Sequence, residues 1–318
     1  MLAQPAPQPV QSVLNAIGST PMVQLKKVVP PGAANVFVKL EYYNPTGSYK
    51  DRMALAMIEE AEKRGDLRPG MTVVEYTGGS TGSSLALICA VKGYKLKIVS
   101  SDAFAVEKLR TMQAFGANLT IVPSQNGKIT PDLIPRLREI AKEIAAEGDT
   151  YQTDQFNNRD SLTGYANIAW EVIAQLNGKV DAFCGSVGTA GMLIGVAQVL
   201  RREVPNAKIY ALEPATSAVL SGQAAGAHHV EGVGVGFIPP LLNKDYYDEL
   251  RPIDEAEARQ MARRMAKEEG IFAGTSSGLN VAAAVQIATE LGEGHNVVTV
   301  ACDSGLKYLA GDLYTDDL

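Results

Sequence analysis

Three cysteines, three histidines and one tryptophan in 318 residues leave little material for several common kinds of site. Cys89, Cys184 and Cys302 are far apart and sit in apolar surroundings, so they read as reduced core thiols of a cytosolic protein rather than a disulfide framework. No Cys or His pair has ligand spacing, so no metal site is expected, and the adjacent His228-His229 is placed in a surface loop. Positive charge is short too. Lys and Arg number 29 against 35 Asp and Glu, a net charge of −6, with no basic stripe and no interleaved basic and aromatic residues. That argues against nucleic acid as a partner. No run of about 18 apolar residues occurs, so no transmembrane helix is expected. Residues 1–10 are rich in Pro, Gln and Ala and lack the basic and apolar regions of a signal peptide. A disordered tail and a cytoplasmic location follow as expectations.

What the chain does have is ordinary globular composition, 46% hydrophobic and 20% charged, and enough length for two domains. Strands are expected at 22–25, 34–40, 72–76, 96–99 and 118–122, with helices at 12–17, 51–64, 83–92, 105–115 and 131–147 between or beside them. The second half repeats the scheme: helix 161–176, strand 180–184, helix 192–202, strand 209–212, a loop-rich stretch 222–242, helices 254–269 and 275–291, and strand 296–301. Strands alternating with amphipathic helices indicate an α/β fold with mostly parallel sheets, and a site at strand C-terminal ends.

Three stretches share one context: strand, Gly/Ser/Thr turn, helix. They are 77–82, 185–191 and 274–278. Glycine lets backbone N–H groups approach a ligand, hydroxyls add donors, and the following helix offers its free N–H groups to an anion. None matches a P-loop or the G-x-G-x-x-G dinucleotide pattern. Gly232-Val233-Gly234-Val235-Gly236 leads to Pro239-Pro240 rather than a helix and reads as a flexible loop. Taken singly, each glycine loop is a tight strand-to-helix connection. Lys50 adds a different element. It stands in Asn44-Pro45-Thr46-Gly47-Ser48-Tyr49-Lys50-Asp51-Arg52, where a turn enters a helix, and a helix N-terminus disfavours its charge. A reactive amine forms a Schiff base with an aldehyde. A lysine, a phosphate cradle and a hydroxyl for a ring nitrogen are what pyridoxal 5'-phosphate needs. Asp51-Arg52 reads as a helix-start salt bridge, and Tyr49 as core or pocket wall.

The 44–52 stretch resembles the lysine motif of the cysteine synthase and cystathionine β-synthase family. The resemblance runs from Gly18-Ser19-Thr20-Pro21 through Gly116-Ala117-Asn118-Leu119, Gln155-Phe156-Asn157-Asn158, Gly234-Val235-Gly236-Phe237-Ile238-Pro239 and Gly270-Ile271-Phe272-Ala273-Gly274 to Asp303-Ser304-Gly305. It implies the two-domain tryptophan synthase β-like fold (fold type II), a smaller mobile domain at 42–152, a larger one from 11–41 and 153–318, and a homodimer. By the same resemblance Lys50 carries the cofactor and moves the Cα proton. Gly185, Ser186, Val187, Gly188 and Thr189 hold its phosphate, and Ser276 meets the pyridine nitrogen. Thr77, Gly78, Gly79, Ser80 and Thr81, with Gln155, grip the substrate α-carboxylate. Ser80 also faces the cofactor's ring hydroxyl.

One departure stands out. The family's loop usually reads Thr-Ser-Gly-Asn-Thr-Gly, and here it is Thr77-Gly78-Gly79-Ser80-Thr81-Gly82. Smaller side chains at 78 and 80 predict a roomier pocket with a water in the gap. The implied reaction is β-replacement on an activated serine such as O-acetylserine, through an aminoacrylate, with sulfide as nucleophile and cysteine as product. The altered loop keeps two alternatives open. One is a β-eliminating lyase or dehydratase acting on cysteine, serine or threonine, or a different nucleophile in the replacement. The other is a catalytically weak binding homologue.

Overall fold

A computed structural model describes residues 9–126 and 132–315. Most of the expected tail, and Pro131 at the start of the expected 131–147 helix, lie outside the described residues. Ten strands run in chain order: β1 Met22–Gln24, β2 Asn35–Leu40, β3 Thr72–Tyr76, β4 Lys95–Ser101, β5 Asn118–Val122, β6 Thr150–Gln152, β7 Ala182–Ser186, β8 Lys208–Pro214, β9 Glu249–Ile253 and β10 Asn296–Ala301. The helices are α1 Lys50–Arg64, α2 Ser80–Lys92, α3 Val106–Ala114, α4 Leu133–Ala145, α5 Asp160–Leu176, α6 Gly191–Glu203, α7 Glu255–Arg264 and α8 Thr275–Leu291.

The strands form two sheets. One has the order β5-β4-β3-β6 and is parallel throughout. The other has the order β1-β2-β10-β7-β8-β9, in which only β1 runs antiparallel. Central strands read as apolar runs because helices cover both faces of a parallel sheet. Val73, Val74, Ile98 and Val99 are fully buried in one sheet, and Phe183, Cys184, Val297 and Val298 in the other. Helix α1 buries Met53, Met57, Ile58 and Ala61 along one stripe. It stops at Gly65, whose φ of 79° closes the C-terminus at no steric cost. The α/β architecture expected from the alternation is borne out.

Two strands escaped the sequence pattern. β6 is three half-buried residues long. β9 is an edge strand carrying Glu249, Arg251 and Pro252, tolerable only because one side has no partner. Two boundaries that bear on the glycine loops also moved. β7 extends through Gly185 and Ser186, so those residues are strand, not loop. α2 begins at Ser80 rather than 83, so Ser80, Thr81 and Gly82 form its first turn. Cys89, Cys184 and Cys302 are all free and buried, as expected.

Candidate active site

The chain leaves β2 at Leu40, passes through the turn that ends at Asn44, and enters α1 with Lys50 as its first residue. That entry is fixed against the end of β10. Tyr49 N–H donates to the Cys302 carbonyl at 3.0 Å, and Ser48 bridges Asp303. Lys50 is 8% exposed. Burial lowers its pKa to about 8, although the neighbouring Cys302 and Asp303 oppose the shift. At neutral pH part of this amine is unprotonated, as a nucleophilic amine requires.

Cys302 and Asn280 tie the other elements to this lysine. Asn280 sits within α8. Its amide donates to the Val300 carbonyl at 2.9 Å and to Cys302 Sγ at 3.3 Å, while its Oδ1 accepts from Ser186 N–H at 2.8 Å. Ser277 Oγ accepts from Cys302 N–H at 2.8 Å, and Ser276 beside it lies close enough to act on the Cys302 thiol. Burial pushes that thiol up to about 12, so it stays protonated. Lys50, Ser186 and Ser276, from three separate parts of the chain, thus converge on one place. Sequence reasoning missed Asn280. Its signal was a single amide inside the apolar run Leu279–Ala284.

The loop after β7 has the form of an anion cradle. Ser186 Oγ is buried with no hydrogen-bond partner. A Cβ on Gly188 would lie 2.3 Å from the Gly232 carbonyl oxygen, so only glycine fits there. Gly234 N–H donates to the Val187 carbonyl at 3.1 Å, which makes the 232–236 glycine loop the backing of this cradle. Thr189 and Ala190 lead into α6. Ala190 holds φ at 68°, a left-handed conformation seldom adopted outside glycine and asparagine and often found at functional sites. The N-cap residues of α6, α2 and α8 make no side-chain cap bond, although Thr189 Oγ1 accepts from Gly191 N–H at 3.4 Å. The uncapped turns leave backbone N–H groups for a ligand. The orphaned Ser186 hydroxyl, the glycine-only Gly188 and the uncapped α6 suit a phosphate group.

On the opposite side, β3 delivers Thr77, Gly78 and Gly79, and α2 begins with Ser80 and Thr81. Gly79 N–H donates to Thr77 Oγ1 at 3.2 Å, and Thr81 Oγ1 donates to Gln155 Oε1 at 2.8 Å. Gln155 is positioned from beneath by Glu75, whose Oε2 accepts from Gln155 N–H at 3.0 Å and from Thr153 Oγ1 at 2.7 Å. Burial pushes the Glu75 carboxyl up to about 7 against those bonds. The sequence-derived residues of this loop are therefore brought together with Gln155.

Two expectations are corrected. The space opposite Gly78 is not vacant. A Cβ at 78 would fall 2.2 Å from Phe104 Cδ1, so the Phe104 ring fills it. Asp51 and Arg52 do not pair with each other. Asp51 accepts from Thr46 N–H at 2.8 Å and from Ser84 Oγ at 2.5 Å, which joins α1 to α2. Arg52 reaches Glu41 and Glu171, each at 2.7 Å. Phe104 left no sequence signal, since nothing local ties it to residue 78. His228 and His229 lie outside helices and strands, as expected; His228 Nε2 contacts the Gly234 carbonyl at 2.9 Å.

Two parallel sheets, a desolvated lysine at a helix start and an anion cradle at strand ends together define an α/β enzyme that holds a phosphorylated carbonyl cofactor. The chain belongs to the pyridoxal-phosphate dependent enzyme family, whose model matches residues 13–303. It is 44% identical over 314 residues to a cysteine synthase of Staphylococcus aureus (strain Mu50), covering 98% of this chain and 99% of that one. The crystal structure of a cysteine synthase from Entamoeba histolytica matches with a TM-score of 0.92 at 36% identity, over 100% of this chain and 94% of that chain. A hydrogen sulfide-producing enzyme from Fusobacterium nucleatum matches at 0.88 and 35% identity, over 96% of this chain and 100% of that one. The fold type II architecture and the pyridoxal 5'-phosphate dependence implied by the sequence resemblance both stand.

Proposed function

We propose that this enzyme makes cysteine by β-replacement: an activated serine such as O-acetylserine loses its β-substituent as acetate, and sulfide takes that place. The observation that carries the reading is the full-length identity to a cysteine synthase, coupled to the convergence of Lys50, Ser186 and Ser276 on one place. When bound, pyridoxal 5'-phosphate supplies an aldehyde for amines and an electron sink for the Cα–H bond. Lys50 Nζ would hold its aldehyde carbon, and the same amine, once free, would take the Cα proton, a role that a pKa near 8 suits at neutral pH. Gly185, Ser186, Val187, Gly188 and Thr189 hold the phosphate. Ser276 offers a neutral hydroxyl to the ring nitrogen and so leaves the ring a moderate sink, which favours loss of a β-substituent over transamination. Thr77, Gly78, Gly79, Ser80, Thr81 and Gln155 fix the α-carboxylate, and with it the direction of the Cα–H bond toward Lys50.

The domain carrying β3–β6, about 42–152, closes on the substrate in this reading, and the enzyme works as a cytoplasmic homodimer. No described helix is long and apolar enough to cross a membrane. A second reading rests on the hydrogen sulfide-producing neighbour and the altered 77–82 loop: β-elimination from cysteine, releasing sulfide. One experiment separates the two. The holoenzyme is titrated with O-acetyl-L-serine, then sulfide, while the visible spectrum and products are followed. A spectral change reversed by sulfide with cysteine formed supports replacement. Keto acid and sulfide from cysteine, with no cysteine formed from O-acetylserine, supports elimination.

A further inference from the structure

The C-terminal part of the chain returns to the start of α2. Lys307 lies in the short 3-10 turn Gly305–Tyr308 after β10 and reaches Ser80, the first residue of α2. Its Nζ donates to Ser80 Oγ at 3.2 Å. Among the described residues this neutral hydroxyl is its only hydrogen-bond partner, and it forms no ion pair. Asp303 and Asp51 lie near enough to act on its charge, with Lys108 opposing them. Asp51 is engaged with Thr46 and Ser84, and Asp303 Oδ2 accepts from the Tyr308 hydroxyl at 2.9 Å, while the buried Asp303 Oδ1 has no hydrogen-bond partner. Lys108 itself is paired with Glu231.

An ammonium carries three donors, and this one, in a half-buried place, has two to spare. Ser80 and Thr81 stand in the first turn of α2, whose cap residue Gly79 makes no side-chain cap bond. A cation, a hydroxyl and a helix N-terminus therefore meet at the residue where the family's asparagine would otherwise stand.

We propose that Lys307 is a substrate-binding residue: steered by Ser80 Oγ, its ammonium pairs with the α-carboxylate of the amino acid and replaces the amide donor that Ser80 lacks. This rests on the reading of the 77–81 loop as the carboxylate grip. It makes Ser80 a positioning residue for a charge supplied from the far end of the chain.

The test compares holoenzymes of wild type, Lys307→Met and Lys307→Arg, titrated with O-acetyl-L-serine under the visible spectrum. In Lys307→Met the concentration for half-maximal change and KM should both rise about tenfold, the loss of one charge-assisted hydrogen bond, with a smaller change in kcat. Lys307→Arg should stay within about threefold. Melting temperature and the apo-protein's affinity for pyridoxal 5'-phosphate by equilibrium dialysis should not move in either. If methionine prevents folding, Lys307→Gln carries the same comparison. Unchanged half-saturation in the uncharged variant overturns the proposal. So does weakened binding of O-phospho-L-serine alone, which would place the lysine on a side-chain anion. If wild type answers only to L-cysteine or L-serine, the comparison is made with that amino acid. A wild type that answers to none of the three sinks the reading of the loop, and the proposal with it.

Discussion

The ring of Phe104 stands where a side chain at residue 78 would go, its Cδ1 only 2.2 Å from a Cβ built on Gly78. The glycine is therefore matched to its neighbour. Phe104 packs against the buried cluster that includes Val74, Tyr76 and Val99 of the smaller sheet. Gly78→Ser should push Phe104 out, lower stability by about 1–3 kcal/mol, as overpacking does, and weaken substrate binding. Adding Phe104→Ala should restore substrate binding. Melting curves and KM values for the four proteins of the cycle measure the coupling, and additive effects would mean the two residues are independent.

Lys50 should behave as an amine with a pKa near 8 rather than the ordinary 10.5. The rate of covalent attachment of pyridoxal 5'-phosphate to the apo-protein should rise as pH climbs to about 8 and level off above it. Lys50→Ala should show no visible cofactor band and no label fixed by borohydride. A rate still rising steeply between pH 9 and 10 would show that the lysine is not desolvated in solution (the window follows from the ordinary lysine value of about 10.4).

Arg52 ties three parts of the chain together. Its Nε and Nη2 donate to Glu41 at 2.7 and 2.9 Å, and Nη1 donates to Glu171 on α5 at 2.7 Å. Lys39 pairs with Glu171 at 2.6 Å. Arg52→Met leaves the fully buried Glu41 without its cation and should cost about 3–5 kcal/mol, read by denaturant unfolding. Burial pushes the Glu171 carboxyl up, but Arg52 and Lys39 outweigh it and hold it at about 2. Its contribution is complete above pH 4.5 and fades as pH falls toward 2. The variant should therefore lose less further stability than wild type on acidification.

Glu75 has the opposite sign. Its carboxyl titrates near 7 in the fold against 4.5 ordinarily, so the fold favours its protonated form. The stability it contributes is complete below 4.5 and is lost as pH rises to about 7, a swing of up to about 3 kcal/mol. Glu75→Gln should flatten the dependence of melting temperature on pH between 5 and 7. An unchanged slope would place the titration elsewhere.

The elements legible in the sequence were those with a local cause. Gly65, Gly93 and Gly116 ended their helices where turn chemistry put them. The three hydroxyl-rich loops were recognisable because strand, glycine and helix follow one another within a few residues. What escaped depends on distant partners. β6 and β9 are strands because a sheet edge was available, not because their residues prefer it. Gly185 and Ser186 joined β7 through their pairing with Ala211 and Leu212 of β8. Arg52 looked paired to its neighbour Asp51 but found Glu171, more than a hundred residues away. The space opposite Gly78 was misread for the same reason, since Phe104 is close to it only in space.

The pairing of β2 with β10, Asn35 beside Asn296 and Leu40 beside Ala301, also sets a timetable. A ribosome has released all four strands of the smaller sheet once residue 152 is out. The larger sheet must keep its first two strands waiting until β10 is synthesised, since the paired Asn35 and Asn296 are 261 residues apart. Until then the entry to α1 lacks the Cys302 carbonyl that holds Tyr49 N–H, and the burial that lowers the Lys50 pKa is incomplete. The lowered pKa is thus a property of the completed larger sheet rather than of the turn that carries the lysine.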